Sequence, residues 1–252
     1  LHVKRHSFPT RRSSDLRTLG SGRVRFHIGD LGELSDVRRV AAEIRSTHTR
    51  IDVLVNNAGV VNTTRTVTRD GFEQTFALNH LSYFLLTHLL LDLVKASPSG
   101  RIINTASDAH LMIDDMVWDD LSLARSFPQR GWKAYCQSKL GNVMFTFALA
   151  RRLAGTNVRV NAIHPGFVRT GLGKNNGTFA KLFVPFVALF GARSPERGAD
   201  TIVWLASADE AVLPHGEYLY DRKPHRRSRA ARDVSKQERL YEVTAALVGI
   251  SE

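Results

Sequence analysis

From residue 24 onward, short β-rich runs alternate with longer stretches of helical period, the pattern of strand-helix repeats built around a parallel sheet. Strands are predicted at 24–28, 52–55, 101–104, 158–163 and 217–220. Between the first two, Val37, Val40, Ala41 and Ile44 recur at i, i+3, i+4 and i+7, which predicts a helix laying one apolar stripe on the sheet. The stretch 72–94 is long and apolar, but Asn79, His80, His88 and Asp92 interrupt it before the roughly 20 apolar residues that a membrane span needs, so it reads as a buried helix. Further helices are expected at about 134–153, 196–207 and 235–247. No internal repeat or linker divides the chain, and 252 residues with 43% apolar composition fit one α/β domain.

The formal charge of +11 invites a nucleic-acid reading until its distribution is considered. Residues 1–17 and 221–233 each carry a net +4, and neither segment interleaves stacking aromatics beyond Phe8. No nucleic-acid partner is expected. A single cysteine, Cys136, leaves no disulfide framework, and no signal-peptide pattern opens the sequence, so a reducing cytoplasmic setting is expected. Cys136 reads as a packing residue, and the ten histidines show no metal-ligand spacing such as HExxH, so no metal site is expected.

Residues 6–16, HSFPTRRSSDL, resemble one reading frame of a sequencing-adaptor oligonucleotide. On that reading residues 1–16 are an assembly scar or a disordered segment, residues 17–252 form the domain, and coding sequence before Arg17 has been lost. A natural basic, Ser-rich tail is the alternative.

The chemistry centres on Tyr135 and Lys139, four residues apart on a predicted helix and therefore on one face of it. An ammonium about 4 Å from a phenol contributes roughly 4 kcal/mol at an effective dielectric of 20, enough to bring the phenol near neutrality for proton transfer. Such a pair also arises by chance, so its neighbours matter: Asn56-Asn57-Ala58-Gly59 ends one strand, Ser107 follows RIINTA, Asn79 lies in the long helix, and His164-Pro165-Gly166 ends another strand.

Through the NNAG segment, the strand ending in Ser107, the YCQSK helix and the HPGFVRT turn, the chain resembles the short-chain dehydrogenase/reductase family from about Arg23 to its end. SDAH, AYCQSKLGNVMF, GEYLYDRKP and RLYEVTAALVGI are most similar to its retinol dehydrogenase-like branch. The resemblance implies a Rossmann-like three-layer α/β fold and NAD(P)-dependent interconversion of a hydrophobic alcohol and its aldehyde or ketone. It makes Tyr135 the acid/base, Lys139 its activator, Ser107 the partner of the reacting oxygen and Asn79 the anchor of a relay water. It assigns the cofactor, NAD or NADP, to Asp30 and Leu31 near adenine, to Asn57, Ala58 and Gly59 beside adenine and ribose, to Tyr135 and Lys139, and to Pro165, Gly166, Val168 and Thr170 around the nicotinamide. A plain turn former is the alternative for Asp30. Association as a homodimer or homotetramer is implied through the helices carrying Asn79 and Tyr135, and a non-catalytic association module is the alternative function.

Two stretches stand apart. Residues 171–177, GLGKNNG, lack the GxxxxGK[ST] spacing of a phosphate loop and read as a lid hinge. Phe179, Phe183, Phe186 and Phe190 share one helical face, which fits core packing, a greasy substrate entrance or a shallow peripheral membrane contact over 179–190. Against the family pattern, the glycine-rich loop after a first strand is missing, and Gly20-Ser21-Gly22 has neither the strand nor the helix to replace it. The first βαβ unit is therefore expected to be lacking and turnover to be impaired. The 24–28 strand would then either cross over to pair with the 52–55 strand or leave apolar edges exposed.

Overall fold

The computed structural model describes residues 24–168 and 193–251. The scar-like segment 6–16, Thr170, the 171–177 hinge and the 179–190 aromatic run lie outside them.

Four strands, β1 (Val53–Asn56), β2 (Gly100–Thr105), β3 (Val158–Ile163) and β4 (Glu217–Tyr220), run parallel in that order, and the two-residue β5 (Lys223–Pro224) turns back antiparallel on β4. Because successive strand residues face opposite ways, Leu54, Ile102 and Val160 join one core while Ile103, Ile163 and Leu219 join another. The first face is covered by α1 (Leu34–Thr47), α2 (Gln74–Lys95), α3 (Trp132–Arg152) and α6 (Val234–Val248). The second is covered by α4 (Pro195–Ser207), through Ile202, Trp204 and Leu205. The result is a three-layer Rossmann-like α/β fold.

The helix ends follow from local chemistry. Glu73 opens α2 by accepting from the Thr75 and Phe76 amides, both at 2.8 Å, and Ser194 caps α4 ahead of Pro195. By length and composition α2 could cross a membrane, yet Phe76, Leu81, Phe84, Leu85, Leu90 and Val94 are fully buried in the domain core. Within it, Ala77–Leu81 adopts a π turn. That extra residue per turn places Asn79 and His80 together on the α3 side.

The expected strand at 24–28 is not one. Its backbone is extended but unpaired, Phe26 and Ile28 are exposed, and the segment lies on α1 through His27 to Glu43 (3.0 Å) and Arg39 to the Ile28 carbonyl (2.7 Å). A β-rich run becomes a strand only when it pairs with an edge, and this one does not cross to the outer edge of β1, whose Val55 remains exposed. The basic stretch 221–233 contributes β5 and the short α5 (Arg229–Arg232), with Arg222 paired to Asp200.

Candidate active site

The predicted site residues gather at the carboxyl ends of β1, β2 and β3, the edge where a parallel α/β sheet opens a crevice. Buried Asn56 ends β1 by donating to Asn104 on β2 (2.8 Å) and to Thr87 on α2 (2.9 Å), which fixes where the chain leaves the sheet. The next four residues are held from three sides. The Asn57 side chain accepts from the Thr105 hydroxyl (2.9 Å), the Ala58 carbonyl accepts from the Tyr83 hydroxyl (2.7 Å), and Val60 exchanges two 2.9 Å hydrogen bonds with the Asn79 amide.

That arrangement fixes the Asn79 side chain. Its two amide hydrogens go to the Val60 carbonyl and the Ser138 hydroxyl, and its oxygen accepts the Val60 N–H. Its backbone carbonyl accepts from Asn142 (2.9 Å). Asn79 braces the 57–60 turn.

Ser107 follows β2 in extended conformation and begins a 3-10 turn, Asp108–Met112, with its Oγ accepting from the Ala109 amide (3.2 Å). Its hydroxyl also lies near enough to the Tyr135 phenol to favour the ionised form of that group. Tyr135 sits one turn into α3, which starts at Gly131 with φ +76°; a Cβ there would lie 1.9 Å from the Asn62 carbonyl, so only glycine can make this entry. The phenol ring stacks on Trp132 at 5.2 Å between centroids.

Lys139 is 3% exposed, donates to the Thr105 carbonyl (3.0 Å), and holds its Nζ 5.6 Å from the centre of the Tyr135 ring and 5.9 Å from that of Tyr83. The pair shares one face, as its spacing predicts. The electrostatics differ from the expectation. Burial raises Tyr135 to about 12, against the pull of the Ser107 hydroxyl, and burial alone lowers Lys139 to about 7. Desolvation disfavours the charged form of each group, and here it dominates. The phenol is therefore protonated at neutral pH.

His164, Pro165 and Gly166 turn away from β3, with Gly166 at φ +76° because a Cβ would strike Arg193 at 2.7 Å. Val168 bridges Arg193, and a Cβ at Gly198 would meet Val168 at 2.5 Å, so α4 seats this turn. Asp30 lies in the turn before α1, where its Oδ1 accepts from Gly32 (3.0 Å), the turn-forming arrangement, and Leu31 packs against the main core. Cys136 is fully buried and its thiol is pushed up to about 12 by burial, which leaves it unreactive.

Several site residues escaped sequence reasoning. Tyr83 follows Asn79 by four residues and Asn142 follows Lys139 by three, so each repeats a site residue's helical face, and polar residues on a buried stripe were the available signal. Asn142 donates to the carbonyls of both Asn79 and Thr105, tying α2 and β2 together beneath Lys139.

The site fits the dinucleotide implied by the fold. The described residues give the buried Lys139 ammonium a single hydrogen-bond acceptor, although it carries three donors. A Cβ at Gly59 would stand 3.6 Å from that nitrogen and 3.7 Å from Asn79 Oδ1, so any side chain there would intrude on the space above the ammonium. Vicinal hydroxyls, such as those of a ribose, match spare ammonium donors beside a bare main chain.

Comparison with known proteins agrees with this geometry. A family profile described as enoyl-(acyl carrier protein) reductase matches residues 10–220. The chain is 41% identical over 229 residues to retinol dehydrogenase 13 and 39% identical over 225 residues to retinol dehydrogenase 14, both of Homo sapiens. Each match covers 88% of this chain and 67% or 66% of the relative, so the chain spans about two thirds of their length. An uncharacterized protein of Mycobacterium paratuberculosis superposes with a TM-score of 0.73 at 31% identity, over 96% of this chain and 82% of that one. Pseudomonas aeruginosa RhlG, solved as an NADP complex, shares the fold with a TM-score of 0.61 at 24% identity, over 82% of this chain and 78% of its own.

Proposed function

Since the chain belongs to the short-chain dehydrogenase/reductase family, NAD(P)-dependent oxidoreductases, we propose that it interconverts a hydrophobic alcohol and its aldehyde or ketone, with Tyr135 as the acid/base. The observation that carries this reading is the meeting of groups from two elements: the Ser107 hydroxyl from the end of β2 beside the Tyr135 phenol on α3, with the Lys139 ammonium of the same helix 5.6 Å from the centre of that ring. The substrate class rests on the retinol dehydrogenases among its relatives.

NAD or NADP, when bound, supplies or accepts the hydride. The protein's residues handle the proton. The Ala109 amide donates to Ser107 Oγ, which leaves the serine's own proton to point at the phenol oxygen or at a substrate oxygen beside it. In the reducing direction Tyr135, protonated at neutral pH, donates to that oxygen as negative charge develops on it. In the oxidising direction the phenol must first ionise, and the ammonium of Lys139 stabilises the phenolate. Asn57, Ala58, Gly59 and Lys139 would hold the ribose, and Pro165, Gly166 and Val168 would flank the nicotinamide.

The test is oxidation of NADPH and NADH by the purified chain with all-trans-retinal or an aromatic aldehyde, wild type against Tyr135→Phe. Loss of the acid should cost about 10²–10⁴ in kcat with the fold and the sedimentation behaviour intact. A Tyr135→Phe protein that turns over at the wild-type rate, or a wild type that sediments as an oligomer but never turns over, would leave only the association role.

A further inference from the structure

Immediately after Ser107 stands a carboxylate that the chemistry above does not use. Asp108 Oδ1 accepts from the Tyr218 hydroxyl on β4 (3.0 Å), while Oδ2 lies 3.1 Å from His225 Nε2 and 3.8 Å from His164 Nε2. His225 follows β5, and His164 opens the Pro165-Gly166 turn. One side chain thus draws together the ends of β2, β3 and β4 and the segment beyond β5. Rings lock the arrangement: His164 stacks on Tyr220 at 5.1 Å and lies 6.2 Å from His225, nearly parallel to it. Tyr220 in turn holds Arg193, which also pairs with Asp221. Burial works to raise the Asp108 carboxyl, but His225, His164 and Tyr218 hold it below the ordinary carboxylate range, so the charge persists at neutral pH.

We propose that Asp108 is a positioning residue that acts through Ser107: its carboxylate pins the 108–112 turn to β4 and the His225 segment, and so fixes where the Ser107 hydroxyl points. This rests on the reading of Ser107 as the partner of the reacting oxygen. The turn is a single 3-10 element of five residues, too short to hold its own geometry. Its other polar tie is His110, which donates from Nδ1 back to the Ser107 carbonyl (2.7 Å) and accepts the Ser228 amide at Nε2 (3.4 Å). The bond to the Ser107 carbonyl closes the turn on itself, while outward the His110 ring meets Tyr218 edge-on at 4.9 Å and Ala109 packs against Tyr135 and Cys136. To these contacts Asp108 adds the charged tie that joins the turn to β4 and to the segment beyond β5.

A cycle of Asp108→Ala, Ser107→Ala and the double variant, read as kcat for aldehyde reduction, separates positioning from simple destabilisation. Asp108→Ala should lower kcat by roughly tenfold in the wild type and by less than about twofold when Ser107 is already alanine, because coupled residues are not additive. Hydrogen exchange supplies a readout independent of turnover: the peptide spanning 106–113 should exchange faster in Asp108→Ala by about tenfold, with β3 unchanged. Asp108→Asn keeps an acceptor for Tyr218 but turns N–H donors on His225, and should fall between the two; it carries the same series if the alanine variant does not fold. An equal factor in both backgrounds, or unchanged exchange over 106–113, overturns the proposal. A Ser107→Ala variant at the wild-type rate instead overturns the reading of Ser107, while the exchange result still decides whether Asp108 pins the turn.

Discussion

Replacing Lys139 with methionine keeps the buried hydrocarbon stem and removes only the charge. A charge separation of about 5 Å at an effective dielectric of about 20 gives roughly 3 kcal/mol of attraction between ammonium and phenolate, about a hundredfold in the ionised fraction of the phenol. The benefit is reciprocal. Burial alone would let the amine lose its proton near pH 7, but an ionised phenol beside it raises the amine's hold on that proton by the same factor, so the two charges stabilise one another. Alcohol oxidation, which needs the phenolate, should therefore lose about a hundredfold in kcat below the phenol's ionisation, and the rising limb of its pH profile should move to higher pH. Carbonyl reduction starts from the neutral phenol and should lose much less. The assay is kcat against pH in both directions for wild type and Lys139→Met. Equal losses in the two directions with an unmoved limb would show that Lys139 holds only the cofactor, and would refute the electrostatic argument.

Two further outcomes concern the fold. His80 is fully buried between Asn142 and Thr244, and burial pushes it down to about 4, so the fold retains the neutral ring while an unfolded chain takes up a proton near pH 6.5. Stability should be fully present above about pH 6.5 and decline as pH falls toward 4, by about 3 kcal/mol from this group; urea midpoints for wild type and His80→Gln should show that slope reduced in the variant. Gly131→Ala would force a Cβ against the Asn62 carbonyl at a backbone angle hostile to alanine; a loss of at least about 1–3 kcal/mol is expected in thermal unfolding, and an unchanged Tm would mean that the entry to α3 can relax.

What the amino-acid order determined by itself is local. Periodicity places α1, α3, α4 and α6 and the strands β1 to β4 within a few residues, because a 3.6-residue or two-residue apolar repeat needs no distant partner to be recognised. The same periodicity puts Tyr135 and Lys139 on one face, and NNAG, Ser107 and the His164 turn mark strand ends that a parallel sheet must align. The tertiary structure decided the rest, wherever a property depends on what lies opposite. Residues 24–28 have strand composition but pair with no strand among the described residues, and they lie along α1 instead. Lys139 and Tyr135 are neighbours in any helix, yet only their burial sets which of them carries a proton. Asn79 reads in sequence as a polar break in an apolar helix, and only the fold shows its side chain tied to Val60 and Ser138. Asp108 finds Tyr218 110 residues away and His225 117 away, a meeting that no local pattern encodes because the sheet order alone brings those strand ends together.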